Sequence, residues 1–256
     1  MKTEDRISTA AQSTIDVGHF GLKVFILSVF VFLNRQTKYW QSFFLILIIL
    51  ISILVLFRAG SKGPFLAALG VFVVWILGLS KSVYKSLFFL FASVLIGYLM
   101  FDFFTEFMKN ISPILYERVF ETDDLLSERD ILYHYALDVF YRNPLTGGSF
   151  GIYLNPGESI YAHNILLDSL MQMGLIGAVM MIYILISIVK RIFQIIFFKE
   201  NYYWIGLLLM QAIMLLMVSG SVYTEPTFSI FIVLLFMPTL NDNYSLDEKC
   251  QSVDQP

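Results

Sequence analysis

The sequence predicts an all-α polytopic membrane protein with about seven transmembrane helices and one long extracytoplasmic loop that contains short helices. Two observations carry this. The 256 residues are 57% hydrophobic and only 14% charged, with a mean hydropathy of +0.72, whereas an average soluble domain is roughly half apolar and a quarter charged. Apolar segments near the ~20 residues that cross a bilayer core recur at about 18–33, 40–57, 64–80, 85–101, 164–189, 203–222 and 226–240. Hydrocarbon offers no water to a backbone amide, so each segment must satisfy its own hydrogen bonds as a helix. A barrel strand would alternate apolar and polar residues, which LILIILISILVLF at 45–57 does not.

The opening MKTEDRISTAAQSTIDVGHFG has mixed charge and no small-residue cleavage site after a short apolar core, so it does not read as a signal peptide. Arg35 and Lys38 follow the first span, Lys81 and Lys85 link the third to the fourth, and Lys190, Arg191 and Lys199 follow the fifth. These loops share one side, which the positive-inside rule makes the cytoplasm. The N-terminus then lies outside, which hints at an N-terminal bundle missing from this chain. Residues 1–101 form the first group of membrane helices, about four spans, and 102–160 an extracytoplasmic loop. Residues 161–240 form two or three further spans, and 241–256 a polar cytoplasmic tail. The last segment is short and follows SVYTEPTFS, with Glu225-Pro226, so it either crosses or re-enters. A net charge of -3 with no basic run excludes a nucleic-acid partner, and the lone Cys250 excludes an internal disulfide.

The outer loop is acidic, with Glu117, Glu121, Asp123, Asp124, Glu128, Asp130 and Asp138 against Lys109, Arg118, Arg129 and Arg142. Within it Ile131, Leu132, Tyr135, Ala136, Val139 and Phe140 follow helical spacing. Ser127 can cap that helix and Asn143-Pro144 ends it. Arg142 suits the negative end of its dipole, whereas Arg129 in the first turn does not suit the positive end. Gly147, Gly148 and Gly151 allow tight turns near a ligand or simply make a loop. In FRAGSKG, Arg58 and Lys62 stand four residues apart on the outer face, where on one helical end they would repel slightly. An anion site explains that, and so does snorkelling of both to lipid phosphates. His163-Asn164 open the fifth span, where a histidine can accept a proton near neutral pH or serve as an amphipathic interfacial residue. Asp168 and Gln172 follow at helical spacing, and Gly174 with Gly177 offers a smooth patch for another helix. Tyr223 and Glu225 read as interfacial packing, with lining of the cavity from the next outer turn as the alternative.

Three blocks, in order, resemble the bacterial O-antigen polymerase and ligase superfamily. SKGPFLAAL (61–69) is similar to its Ser-Arg-Gly helix start, and ERDILYHYALDVFYRNPLTGGSFGIY (128–153) to its outer-loop Arg helix with a Pro-Leu-x-Gly-x-Gly turn. AHNILLDSLMQMGLIG (162–177) resembles its His-Asn-x-x-Leu motif. The resemblance implies a metal-independent, cofactor-free glycosyltransferase at the outer face of the bacterial inner membrane. It would join polyprenyl-diphosphate-linked repeat units into an O-antigen, capsule or exopolysaccharide. The implied partners are that donor, a glycan acceptor, the bilayer, and a chain-length regulator and flippase. Carried onto this chain, His163 is the general base, and Arg58, Lys62, Arg129 and Arg142 bind the diphosphate, Arg129 counting as catalytic. Asn164, Gly147 and Gly148 orient substrate or ring. No Asp-x-Asp pair or His/Cys cluster with metal-ligand spacing stands at the outer face; Asp123 and Asp124 are adjacent. The family usually has arginine where this chain has Lys62, whose ammonium cannot fork two hydrogen bonds onto phosphate, so Arg58 takes over that contact. Family members are generally longer. Three alternatives accompany this reading: a ligase with a lipid or protein acceptor, a truncated inactive member, and a polysaccharide transporter. Against transport, the spans at 41–57 and 64–80 carry no ionisable residue.

Overall fold

The computed structural model describes residues 13–34, 38–78, 82–117, 120, 127–155, 158–198, 203–223 and 225–236. The first twelve residues, the Asp123-Asp124 stretch and the tail from 241 lie outside them. In chain order the elements are α1 (Thr14–Asn34), α2 (Tyr39–Arg58), α3 (Lys62–Gly78), α4 (Val83–Leu99), α5 (Phe101–Ile111), α6 (Pro113–Tyr116) and α7 (Ser127–Arg142). A short hairpin of β1 (Ile152–Asn155) and β2 (Glu158–Ile160) follows, then α8 (Ile165–Phe198), α9 (Tyr203–Val218) and α10 (Pro226–Phe236). Helix therefore dominates, as the apolar runs require.

Among the described residues three helices, α1, α2 and α8, are long and apolar enough to cross a membrane, and a bent pair of α4 with α5 makes up to four. The shorter α3 and α9 are equally apolar, with 17 and 16 residues. The span expected at 85–101 bends by 64° into α5. The reason is the sequence FDFFTEFMKNI, where Asp102, Glu106 and Lys109 share the helix with Phe103, Phe104 and Phe107. Such a helix is amphipathic and suits an interface better than hydrocarbon. Its rings pack on the end of α2, Phe107 and Phe104 lying 5.8 and 6.4 Å from Phe57.

α9 is the centre of the bundle. Ile205, Leu208, Leu209, Ala212 and Leu216 are all buried on it, and it packs against α1, α3, α8 and α10. By contrast Phe43, Phe44, Leu50 and Leu54 of α2 and Leu175, Ile176, Val179 and Tyr183 of α8 are exposed. So large an apolar surface suits contact with lipid tails, not water.

The contacts pair the helix ends consistently. Gly18 of α1 meets Ala59 and Pro64 around the α2–α3 turn, and Lys23 of α1 meets Glu225 beside α10. At the opposite end Asn34 donates to the hydroxyl of Tyr203 at 2.7 Å, and Gly78 touches Ile196. Arg58, Lys62 and His163 thus fall at one end of the bundle, and Lys38, Lys85, Lys190 and Arg191 belong to the other.

Arg58 and Lys62 do not share a helical face. Gly60 takes φ 61°, the left-handed conformation that ends many helices, so α2 stops at Arg58 and α3 starts at Lys62. The one-turn spacing on a single helix, from which the repulsion was expected, is absent.

Candidate active site

The sharpest local feature is where α8 begins. His163 has φ 56°, the one described non-glycine residue with positive φ. That conformation costs about 1–3 kcal/mol and clusters at functional sites. Asn164 follows and caps α8: its Oδ1 accepts the amides of Leu166 and Leu167 at 3.0 and 3.2 Å. Its Nδ2 donates to the Met217 carbonyl of α9 at 3.2 Å. The side chain expected to orient substrate or ring thus fixes the helix end next to His163. We expect Asn164→Ala to lose about 1–2 kcal/mol of stability, read as a lower unfolding temperature in detergent. Asn164→Asp, which keeps the cap and loses the donor to Met217, should fall in between.

The turn thrown by His163 brings its imidazole to the far end of α9. Nδ1 lies 2.8 Å from the Ser219 carbonyl oxygen. A carbonyl only accepts, so Nδ1 carries the proton and, in the neutral ring, Nε2 carries the lone pair. This is the tautomer a general base needs. Tyr161 lies beside it, ring centroids 4.5 Å apart and planes tilted by 59°. The same Ser219 accepts from Arg129, whose Nη2 lies 3.2 Å from its Oγ. A Cβ added at Gly63 would lie 3.4 Å from that hydroxyl. Ser219, buried just past the last turn of α9, thus gathers His163, Arg129 and the start of α3 around one residue. The last carbonyls of a helix have no partner within it, and here Asn164 and His163 supply them.

The polar residues along the first turns of α8 brace this arrangement. Asp168 is buried, and its Oδ1 accepts the Ala162 amide at 2.8 Å, holding the segment before His163 against the helix. Gln172 accepts the hydroxyl of Tyr223 at 2.6 Å. Glu225 pairs with Lys23 at 2.9 Å, and Lys23 also donates to Thr227. Tyr223 and Glu225, read from sequence as interfacial packing, therefore tie the turn after α9 to α8 and α1.

Gly147 and Gly148, expected to orient substrate, pack against the backbone of α8. α8 breaks at Gly174, which has φ 62° and ψ -151°, and the loop after α7 fills the break. Leu175 donates to the Pro144 carbonyl at 2.8 Å and Gly148 to the Met171 carbonyl at 3.0 Å. Backbone groups that the kink unpairs are so repaired from outside the helix. A Cβ at Gly147 would come within 2.4 Å of the Gln172 backbone, and one at Gly174 within 2.5 Å of Leu145. The close approach expected of another helix at Gly174 is made by this loop instead.

Arg142 sits at the opposite end of α7 from Arg129, pairs with Asp138, and is exposed. Arg58 is exposed at the end of α2, whereas Lys62 is half-buried and engaged. Among the described residues no three His, Cys, Asp or Glu side chains group as a metal site.

Sequence reasoning passed over Ser219, and it passed over His19 on α1, which is buried against Gln211 of α9. Lys23 carried a usable signal, since an ionisable residue inside an apolar span is functional or paired by default.

A bundle of apolar helices with a histidine, an arginine and a helix start converging at one end is an integral membrane protein with a polar site at the bundle mouth. A family model described as O-antigen ligase matches residues 47–182, more than half of the chain and inclusive of Arg58, Lys62, Arg129 and His163. The chain belongs to that family, within the O-antigen polymerase and ligase superfamily. No curated protein and no solved structure matches it.

Proposed function

We propose that the chain joins polyprenyl-diphosphate-linked oligosaccharide units into a surface polysaccharide by metal-independent glycosyl transfer at the outer face of the cell membrane. The observation that supports this best is Ser219, which holds His163 and Arg129 beside the first turn of α3. A base and a cation anchored on one residue suit a reaction that takes a proton at one atom and releases an anion at another. His163 Nε2 removes the acceptor hydroxyl's proton while that oxygen bonds to the anomeric carbon of the donor sugar. The bond to the diphosphate breaks, and its electron pair leaves with the diphosphate. Arg129 and Lys62 neutralise the departing charge, with Arg58 at the rim; preorganised cations aimed at developing charge are typically the largest contribution to such a rate.

In this arrangement α1, α2, α3, α4, α8, α9 and α10 all enter the membrane, and α5 lies at its surface. The site, α7 and the hairpin face outward. The polyprenyl tail lies along the apolar helices, and the donor comes from a flippase. A ligase would use the same donor and chemistry with a different acceptor, and product length separates the two.

Arg129 gives a direct test of the charge assignment. With purified donor lipid, Arg129→Ala should lower turnover by about 10- to 100-fold, the size of a hydrogen bond to a charged group. Arg129→Lys should restore only part of it, because lysine cannot fork. Wild-type turnover in Arg129→Lys would remove forked phosphate contact at that position.

A further inference from the structure

We propose that His19 is a donor-binding residue, its Nε2–H and the first turn of α3 holding one phosphate of the lipid diphosphate. This rests on the reaction proposed above and adds to it an element, α1, that lies outside the family match.

The tautomer of His19 follows from its neighbour. Gln211 Nε2 lies 2.9 Å from the His19 carbonyl oxygen and 3.2 Å from His19 Nδ1. The carbonyl fixes the amide with its NH₂ toward His19, because the opposite orientation would set two oxygens against each other. Nδ1 is then the acceptor, and the ring proton of neutral His19 sits on Nε2. The residue is only 2% exposed, and Nε2 has no hydrogen-bond partner among the described residues. A buried donor left without a partner is costly, and native proteins rarely keep one without a use.

Its direction supplies the use. A Cβ built on Gly63 would lie 3.6 Å from His19 Nε2 and 3.4 Å from Ser219 Oγ. Both polar atoms therefore face the second residue of α3, and Arg129 donates to that same serine hydroxyl. The start of a 17-residue helix carries amides directed off its end and the positive end of its dipole. A phosphate there would meet amides, an imidazole N–H, a hydroxyl and a guanidinium from four elements. Gly63 fits this arrangement. Both separations are ordinary contacts for a methyl group, so alanine fits, and alanine favours a helix over glycine. Glycine keeps the approach to the two polar atoms open.

The experiment uses the full chain in detergent with inorganic pyrophosphate as the probe, read by titration of its protection against heat. Wild type should be protected, and Arg129→Ala should bind about 10- to 100-fold more weakly. Gly63→Ala should unfold at or above the wild-type temperature without probe, yet lose pyrophosphate affinity by at least tenfold. His19→Gln should lose affinity similarly, and Gly63→Ala stands as the decisive variant if His19→Gln fails to fold. Wild-type affinity in Gly63→Ala and in folded His19→Gln, with loss only in Arg129→Ala, would overturn the role of His19 and leave the proposed reaction standing. No protection of wild type by pyrophosphate would overturn both.

Discussion

His163→Ala is expected to lower the rate of glycan transfer by about two to four orders of magnitude, the contribution of a positioned general base, while the chain stays in the membrane. The expectation rests on hydrogen-bond chemistry. The Ser219 carbonyl can only accept, so it fixes the imidazole proton on Nδ1 and leaves the lone pair of the neutral ring on Nε2. Alanine keeps neither the base nor the bond. It also meets a left-handed backbone, φ 56°, which alanine adopts less readily than histidine or asparagine. His163→Asn separates the two effects, because asparagine tolerates that conformation and offers no base of comparable strength. Single-turnover rates on purified donor lipid should be low in both variants. A wild-type rate in His163→Asn would remove the base assignment.

Gly147→Ala should be the most damaging substitution for folding. The added carbon would lie 2.4, 2.5 and 2.6 Å from the carbonyl carbon and oxygen of Gln172 and the amide of Met173. These are backbone atoms of α8, which cannot swing aside as a side chain can, and φ is 70° besides. The loop must withdraw, and the bonds from Leu175 to Pro144 and from Gly148 to Met171 go with it. Each backbone group left unpaired costs about 1–3 kcal/mol, so the total is several kcal/mol. Gly97→Ala, with nothing within 4 Å of its added carbon, is the control. Thermal unfolding in detergent should show a large drop for Gly147→Ala and none for Gly97→Ala; equal unfolding temperatures would contradict the docked loop.

The membrane helices were legible in the sequence because a bilayer imposes one severe condition on the backbone. The apolar runs at 18–33, 40–57 and 203–222 correspond to α1, α2 and α9 within a few residues. The helix expected between the fourth and fifth spans announced itself by the spacing of Leu132, Ala136 and Val139, and it is α7. What the sequence hid is of two kinds. Glycine conformations were ambiguous: Gly60 separates Arg58 from Lys62, and Gly174 breaks α8, yet neither pattern of letters distinguishes a turn from a packing surface. Non-local contacts were the other kind. Ser219 meets Arg129 from 90 residues away, and His163 reaches its backbone carbonyl, an atom every residue carries. The residue types of the site were therefore readable, while the residue that assembles them was not.

The most direct measurement is a polysaccharide ladder on a gel. Cells lacking their own repeat-unit polymerase but making the cognate lipid-linked unit would express wild type or His163→Ala at matched membrane levels. A ladder with wild type and only single units with the variant is the predicted result. Ladders of equal length in both, or single units in both, would contradict a polymerase that works through this site.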